Sequence, residues 1–217
     1  PTIHATNLIA YHKSTVPKFQ ASIHNSPLPL RQPLSMIALV WEKSIGIVLR
    51  VTKLTDTSSI VRWWTLQHGL IDTVAKGARR STSSFAGKID LFFTADISWA
   101  TSKTGNLHTL RESSVQSYRP QLRLHYSNTL IASYFCAMIE KIAEPESPEP
   151  EIYDLLTRAL DHIEEKNASL RALHHFEREL ARLHGVGRSG GHTAMLDLAD
   201  LGAGLPALRA QLLQRLA

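Results

Sequence analysis

The chain has 217 residues, 43% of them hydrophobic, with a formal net charge of +5 and a sequence pI of about 9.5. That length supports a real core in one or two small domains, and the positive balance favours an acidic partner such as nucleic acid over an acidic substrate. One cysteine, Cys136, excludes a disulfide framework or a cysteine zinc site within the chain, and the pattern predicts neither a membrane span nor a signal peptide, so a reducing cytoplasm is expected.

Residues 1–35 do not read as a fold. Pro17, Pro27, Pro29 and Pro33 interrupt a stretch without periodicity, and the first methionine is Met36. Proline removes backbone donors and restricts its predecessor. The expectation is an extension that is disordered or lies upstream of the natural start.

From Ser44 to Tyr118 the pattern predicts short strands. Ile45–Val51 is apolar and β-branched, Thr55–Ser58 is a turn cluster, Ser59–Leu66 is a second strand and Leu70–Ala75 a third. A fourth is expected over Ile89–Trp99 and a fifth over Leu107–Val115, separated by the hairpin turn Thr101–Asn106. Five strands with turns at near-regular spacing imply a small barrel or sandwich. Between the third and fourth runs a basic loop rich in Ser and Gly. Lys76, Arg79 and Arg80 fall close together, Lys88 closes the loop, and no carboxylate occurs between Asp72 and Asp90. Flexible backbone with unpaired cations suits a polyanion, because each cation can neutralise a phosphate and release counterions.

After Pro120 the period becomes helical. Tyr126, Leu130, Tyr134, Met138 and Ile142 mark one helix, Ile152 to Ile163 a second, and Leu170 to Leu183 a third with Gly185 as its cap. The proline-rich segment Glu144–Pro150 links the first two, and a last short helix is expected over Leu205–Leu216, after a Gly-rich stretch from Gly185 to Gly191. Charge divides the same way. Residues 44–119 carry ten Lys/Arg against five Asp/Glu, net +5, and residues 120–184 carry seven against eleven, net −4. The two halves are therefore expected to do different work.

Arg62-Trp63-Trp64 is the candidate aromatic element of a single-strand groove. Consecutive strand residues face opposite sides. Either one tryptophan is exposed, or both are buried, one in the barrel and one under the helical half; the second arrangement is favoured because Trp is highly buried on average. Arg50, Lys53, Lys103 and Arg111 are scattered cations, each read as a solvated charge. Enzyme readings are poor. Thr82 stands where a P-loop before Gly87-Lys88 requires its first glycine, the His175/Glu179 pair lacks an HExxH frame, and Cys136 sits in an apolar stripe.

The ordered pieces GIVLR (46–50), SSIVRWWTLQHGLI (58–71), VAKGARR (74–80), FAGK (85–88) and HTLRE (108–112), followed by the switch to helices, resemble the bacterial recombination mediator family RecO over about 45–184. The resemblance implies an α+β chain: a five-stranded OB-fold barrel over 36–119, then an α-helical bundle over 120–217. It implies a DNA repair and recombination mediator, without catalysis or cofactor, that binds single- and double-stranded DNA. Such a protein anneals complementary strands and assists loading of RecA onto DNA coated by single-stranded-DNA-binding protein (SSB), in concert with RecR. Many members carry a four-cysteine zinc module that this sequence lacks. DNA contact is assigned to Lys76, Arg79, Arg80, Lys88, Arg62 and Arg50. The helical half offers Arg123, Lys141, Arg171, Arg178 and Arg182 to the acidic-apolar SSB tail, with the i, i+4 pair Arg178/Arg182 as the candidate contact, unless these arginines pair with Glu177 and Glu179. The rival readings are an RNA-binding OB module and a protein-interaction scaffold.

Overall fold

The structure, a computed structural model, describes residues 41–186, 198–200 and 204–217. The expected extension 1–35 and most of the Gly-rich stretch lie outside the described residues. Five strands, β1 (Trp41–Lys53), β2 (Ser59–Thr65), β3 (Gly69–Ala75), β4 (Thr94–Ala100) and β5 (Leu107–Ser117), close into a barrel in the order β1-β2-β3-β5-β4. Only the β3–β5 seam is parallel. This is the barrel of an OB-fold, as the resemblance implied. The fourth strand begins five residues later than the pattern predicts. Asp90–Phe93 forms a turn, closed by the Phe93 amide on the Asp90 carbonyl at 3.3 Å, with Phe92 at a φ of 68°. Its apolar residues mimic a strand because they serve two cores: Leu91 and Phe92 pack toward the helices and Phe93 into the barrel.

A 3-10 turn, Pro120–Arg123, leads to α1 (Tyr126–Ile142), α2 (Pro150–Lys166), α3 (Leu170–Leu183) and, after residues 198–200, α4 (Leu208–Leu216). Pro150 opens α2, where its missing N–H costs nothing. The Ser169 side chain caps α3 by accepting from the Ala172 amide at 3.2 Å. Gly185 ends α3 as expected. At a φ of 70° it lets its own amide reach the Arg182 carbonyl and the Val186 amide reach the Ala181 carbonyl.

Two cores share one barrel wall. Val48, Val61, Trp63, Ile71, Ile97, Trp99 and Leu110 fill the barrel. Ile47, Leu49, Trp64 and Leu70, from the outer face of the same strands, join Ile131, Phe135, Ile139, Leu156, Phe176 and Leu180 of the helices. A β-bulge at Leu49, the residue without a partner between the Val48/Trp63 and Arg50/Arg62 pairs, turns both Leu49 and Arg50 toward α1.

Polar contacts lock this joint. Buried Arg119 donates to Asp161 of α2 at 2.7 Å and to the Phe92 carbonyl and the Thr94 hydroxyl at 2.7 and 2.8 Å. Glu164 accepts from the Gln121 and Leu122 amides. Arg62 grips Asp72, its cross-strand neighbour, through two hydrogen bonds of 2.9 and 2.6 Å. Glu140 of α1 stands 3.2 Å from Arg50 and 3.9 Å from Arg62, yet its buried Oε1 receives no well-directed hydrogen bond. The linker between α1 and α2 also docks on the barrel: the Glu146 amide donates to the Leu70 carbonyl at 3.0 Å, beside Gly69.

Gly69 has a φ of 64°, and a Cβ there would lie 2.0 Å from the Ser147 carbonyl oxygen. Gly69→Ala combines a left-handed backbone with a backbone clash, so it should cost at least about 2 kcal/mol in urea unfolding. An unchanged midpoint would show that the linker does not rest on this hairpin. Burial pushes the Glu140 carboxyl above its ordinary value, a rise that Arg50 and Arg62 offset and Asp72 reinforces. The folded state then binds this proton more tightly than the unfolded chain does, and Glu140 lowers stability as pH rises above about 4.5. In paired unfolding curves across that range, Glu140→Gln should gain on the wild type as pH rises. A pH-independent difference would mean that the arginines cancel the burial.

Candidate nucleic-acid interface

The basic loop is an ordered bracket on the barrel. At its start the Gly77 amide donates to the Ser58 hydroxyl at 3.3 Å and the Arg79 amide to the Thr57 carbonyl at 3.0 Å. Successive turns follow, with the Arg80 amide on the Gly77 carbonyl, Ser83 on Arg80, Ala86 on Ser83 and Lys88 on Phe85. At its exit the Ser113 hydroxyl of β5 donates to the Lys88 carbonyl at 3.2 Å. Phe85 is the anchor: it is buried in the barrel core, with Ala78 and Ile89 packed beside it. Small residues and one aromatic thus hold the chain close to the barrel end, and the long polar side chains have nowhere to go but outward.

Lys76, Arg79, Arg80 and Lys88 are all exposed, and none has a side-chain hydrogen bond or ion pair among the described residues. The two other residues assigned to DNA contact stand elsewhere. Arg62 is held by Asp72, with Glu140 beyond, and the hydrogen bonds to Asp72 raise its already high pKa further. Arg50 is half exposed but faces Glu140. The structure therefore brings four of the six together and ties the other two into the joint with α1. Both tryptophans of the candidate aromatic element are fully buried, Trp63 in the barrel and Trp64 under the helices, the favoured of the two arrangements.

Next to the loop a cleft of about 870 Å³ runs along β1, β4 and β5, with Lys43, Lys88 and Arg111 among its lining residues and Asp96 and Glu112 as its acids. Sequence reasoning treated Arg111 as an isolated charge. It is the bulged residue of β5, without a partner between the Trp99/Leu110 and Ser98/Glu112 pairs, and its guanidinium lies 5.5 Å from the centre of the Trp41 ring.

The helical half carries a second concavity, of about 640 Å³, between α2 and α3. Phe135, Leu155, Ala159, Ala172 and Phe176 form its floor, with the Phe135 and Phe176 rings stacked at 4.0 Å. Arg158 and His162 of α2 and Arg171 and His175 of α3 form its rim. Sequence reasoning named Arg171 but not the groove. The available signal was two i, i+4 Arg/His pairs, Arg158/His162 and Arg171/His175, beside apolar stripes on adjacent helices. Arg178 and Arg182 lie outside this lining. Arg182 pairs with Glu179 at 3.0 Å, which lowers the Glu179 pKa, and Arg178 contacts His175 at 3.3 Å. Glu177 is taken from inside: buried, it accepts from Tyr134 at 2.6 Å and from Arg209 of α4 at 2.6 and 3.1 Å. No group of three His, Cys, Asp or Glu side chains among the described residues is arranged to hold a metal, and no helix among them is long and apolar enough to cross a membrane.

Two family descriptions match the chain. "Recombination protein O N terminal" covers residues 36–118, the barrel, and "Recombination protein O C terminal" covers 123–189, the first three helices. Similar proteins include the DNA repair protein RecO of Syntrophus aciditrophicus, 29% identical over 66% of this chain and 55% of its own length. Another is the DNA repair protein RecO of Listeria welshimeri, 33% identical over 57% of this chain and 48% of its own. The chain thus spans about half the length of the curated relatives it matches. A barrel in this strand order runs into a helical half seated on its outer wall, and each part matches the corresponding part of one family: the chain belongs to the RecO family.

Proposed function

We propose that this chain is a DNA repair and recombination mediator whose barrel loop holds the sugar-phosphate backbone of single- and double-stranded DNA. The observation that carries the reading is the set of four exposed, unpaired cations on a braced loop at the barrel end. Contacts of this kind position a nucleic acid without reading its sequence. Two strands held by such a surface repel one another less, and complementary stretches can pair, so annealing follows from charge neutralisation with no bond made or broken. The site of action is the cytoplasm, with loading of RecA onto SSB-coated DNA, in concert with RecR, as the pathway step. Arg50 and Arg62 belong to the joint in this proposal, not to the phosphate contacts.

The partner surface is the α2/α3 groove. An apolar floor under an arginine and histidine rim suits a peptide that ends in apolar and acidic residues, the chemistry of the SSB tail. Arg178 is exposed one turn further along α3 and extends the positive field of the rim, whereas Arg182, two turns along, is paired with Glu179.

Replacing Lys76, Arg79 and Arg80 with Ala should lower the slope of log affinity against log salt by about two to three units, at roughly 0.7–0.9 per phosphate contact. A folded triple variant with the wild-type slope removes the loop from the interface, and matched DNA and RNA oligomers bound alike would favour a general polynucleotide site. For the groove, Arg158→Glu with Arg171→Glu should weaken an acidic-apolar tail peptide at least about tenfold while free-DNA binding stays near wild type. If reversal at Arg178 and Arg182 does this instead, the peptide lies along the outer face of α3.

A further inference from the structure

We infer that Trp41 is a base-stacking station for single-stranded DNA, placed beside Arg111, which lines the cleft next to the basic loop. The inference rests on the proposed DNA reading and adds to it a contact that a duplex cannot make. Three observations converge on Trp41. It is 54% exposed, although it is the first residue of a barrel strand, whereas the three other tryptophans of the chain, Trp63, Trp64 and Trp99, are all at or below 2%. A large indole left in water at an ordered strand end is unusual for its type. The β-bulge in β5 then brings Arg111 over the ring, a departure from regular pairing of the kind that re-aims a side chain. Arg111 also lines the cleft, as do Lys43, two residues from Trp41 on the same face of β1, and Lys88 at the loop exit.

This is the arrangement a single strand requires. Cations spaced along a groove follow the phosphates, and an aromatic face beside it accepts an unstacked base without regard to its identity. Arg111 occupies one face of the indole and holds the ring in place, and the exposed remainder is open to a base. The three cations of the cleft, Lys43, Lys88 and Arg111, outnumber its two acids, Asp96 and Glu112, which accept from Gln116 and from the Ser98 hydroxyl and keep their charge. A double helix keeps its bases stacked inside and offers Trp41 only its backbone. The loop therefore serves both forms of DNA, while Trp41 discriminates between them.

All four tryptophans emit, but only exposed Trp41 can be stacked on and quenched by a bound base, and Trp41→Phe gives the emission of the other three as the baseline. An oligodeoxythymidylate of about 15 nucleotides, within the range an OB-fold covers, should quench the emission of the full chain, and a duplex of equal length should quench it far less. Trp41→Ala should weaken the oligonucleotide by about tenfold and the duplex hardly at all, and Trp41→Phe should keep most of the affinity but lose the quench. Circular dichroism and melting temperature establish that each variant is folded. The inference is overturned if single-stranded DNA binds without quenching, if Trp41→Ala binds it like wild type, or if both DNA forms weaken equally. If the loop variant loses both forms while Trp41→Ala loses neither, only the stacking station falls; if the wild type binds no DNA, the whole reading falls with it.

Discussion

Trp63 and Trp64 are neighbours on β2 and therefore face opposite sides of one sheet. One fills the barrel and the other the helical core, and neither exposes its side chain. The wall formed by β1, β2 and β3 is thus apolar on both faces, which an isolated barrel cannot tolerate. It must be covered, and α1, with the linker beyond it, covers it. The bulge at Leu49 adds one more apolar residue to the outer side of the wall and presents Arg50 beside it. With one side of the barrel committed to the helices, a polyanion is left the opposite side and the barrel end. Those are the places where the basic loop and the cleft along β4 and β5 are found.

The same covering decides which cations are free. An arginine taken from water into the joint needs a carboxylate, because an unpaired buried charge costs several kcal/mol. Arg119 has Asp161 and Arg62 has Asp72, and inside the helical half Arg209 likewise has Glu177. Asp161 and Glu140, from the other half, face Arg119 and Arg50, two charges that the +5 of residues 44–119 includes, whereas Arg62 and Asp72 already cancel within it. The +5 of residues 44–119 is accordingly not the field that a phosphate meets. That field comes from the loop, where no carboxylate lies between Asp72 and Asp90, and Asp90 itself is occupied by Arg123 at 3.0 Å. Local pairing, not net charge, decides which cations of the basic half are left free.

This is also why some parts of the molecule were legible in the sequence and others were not. Helix α1 was read from five apolar residues at helical spacing, and the α3 cap from one glycine, because both depend on neighbours in the chain. The loop was legible because a run of cations without acids needs no tertiary partner to be recognised. The role of Arg50 was hidden, since its partner Glu140 is far away in sequence, and that of Arg62 because Asp72 becomes its neighbour only when β2 and β3 pair. The apolar run over Ile89–Phe93 misled because its side chains serve two different cores, which only the closed barrel makes apparent. Arg111 was hidden by a bulge, which shifts the strand register without leaving a mark in residue type.

The joint bears on mechanism as well as on stability. A protein that holds a DNA strand on one domain while the other engages a peptide gains from a fixed separation between the two sites, because a flexible connection spends binding energy on ordering them. Here the connection is short and doubly anchored. After β5 the chain enters the helical half through Arg119, clamped to β4 and α2 at once, and the linker after α1 returns to the barrel, where Pro145 bridges to Leu70 and Ser147 fills the space beside Gly69. A hinge at the first crossing would have to break the buried Arg119 contacts, and one at the second would have to leave the only residue type that admits so close an approach. The two proposed surfaces therefore belong to one nearly rigid body. On the proposed reading, a peptide in the α2/α3 groove would influence the DNA through where it holds its own protein relative to the strand, rather than by moving the loop.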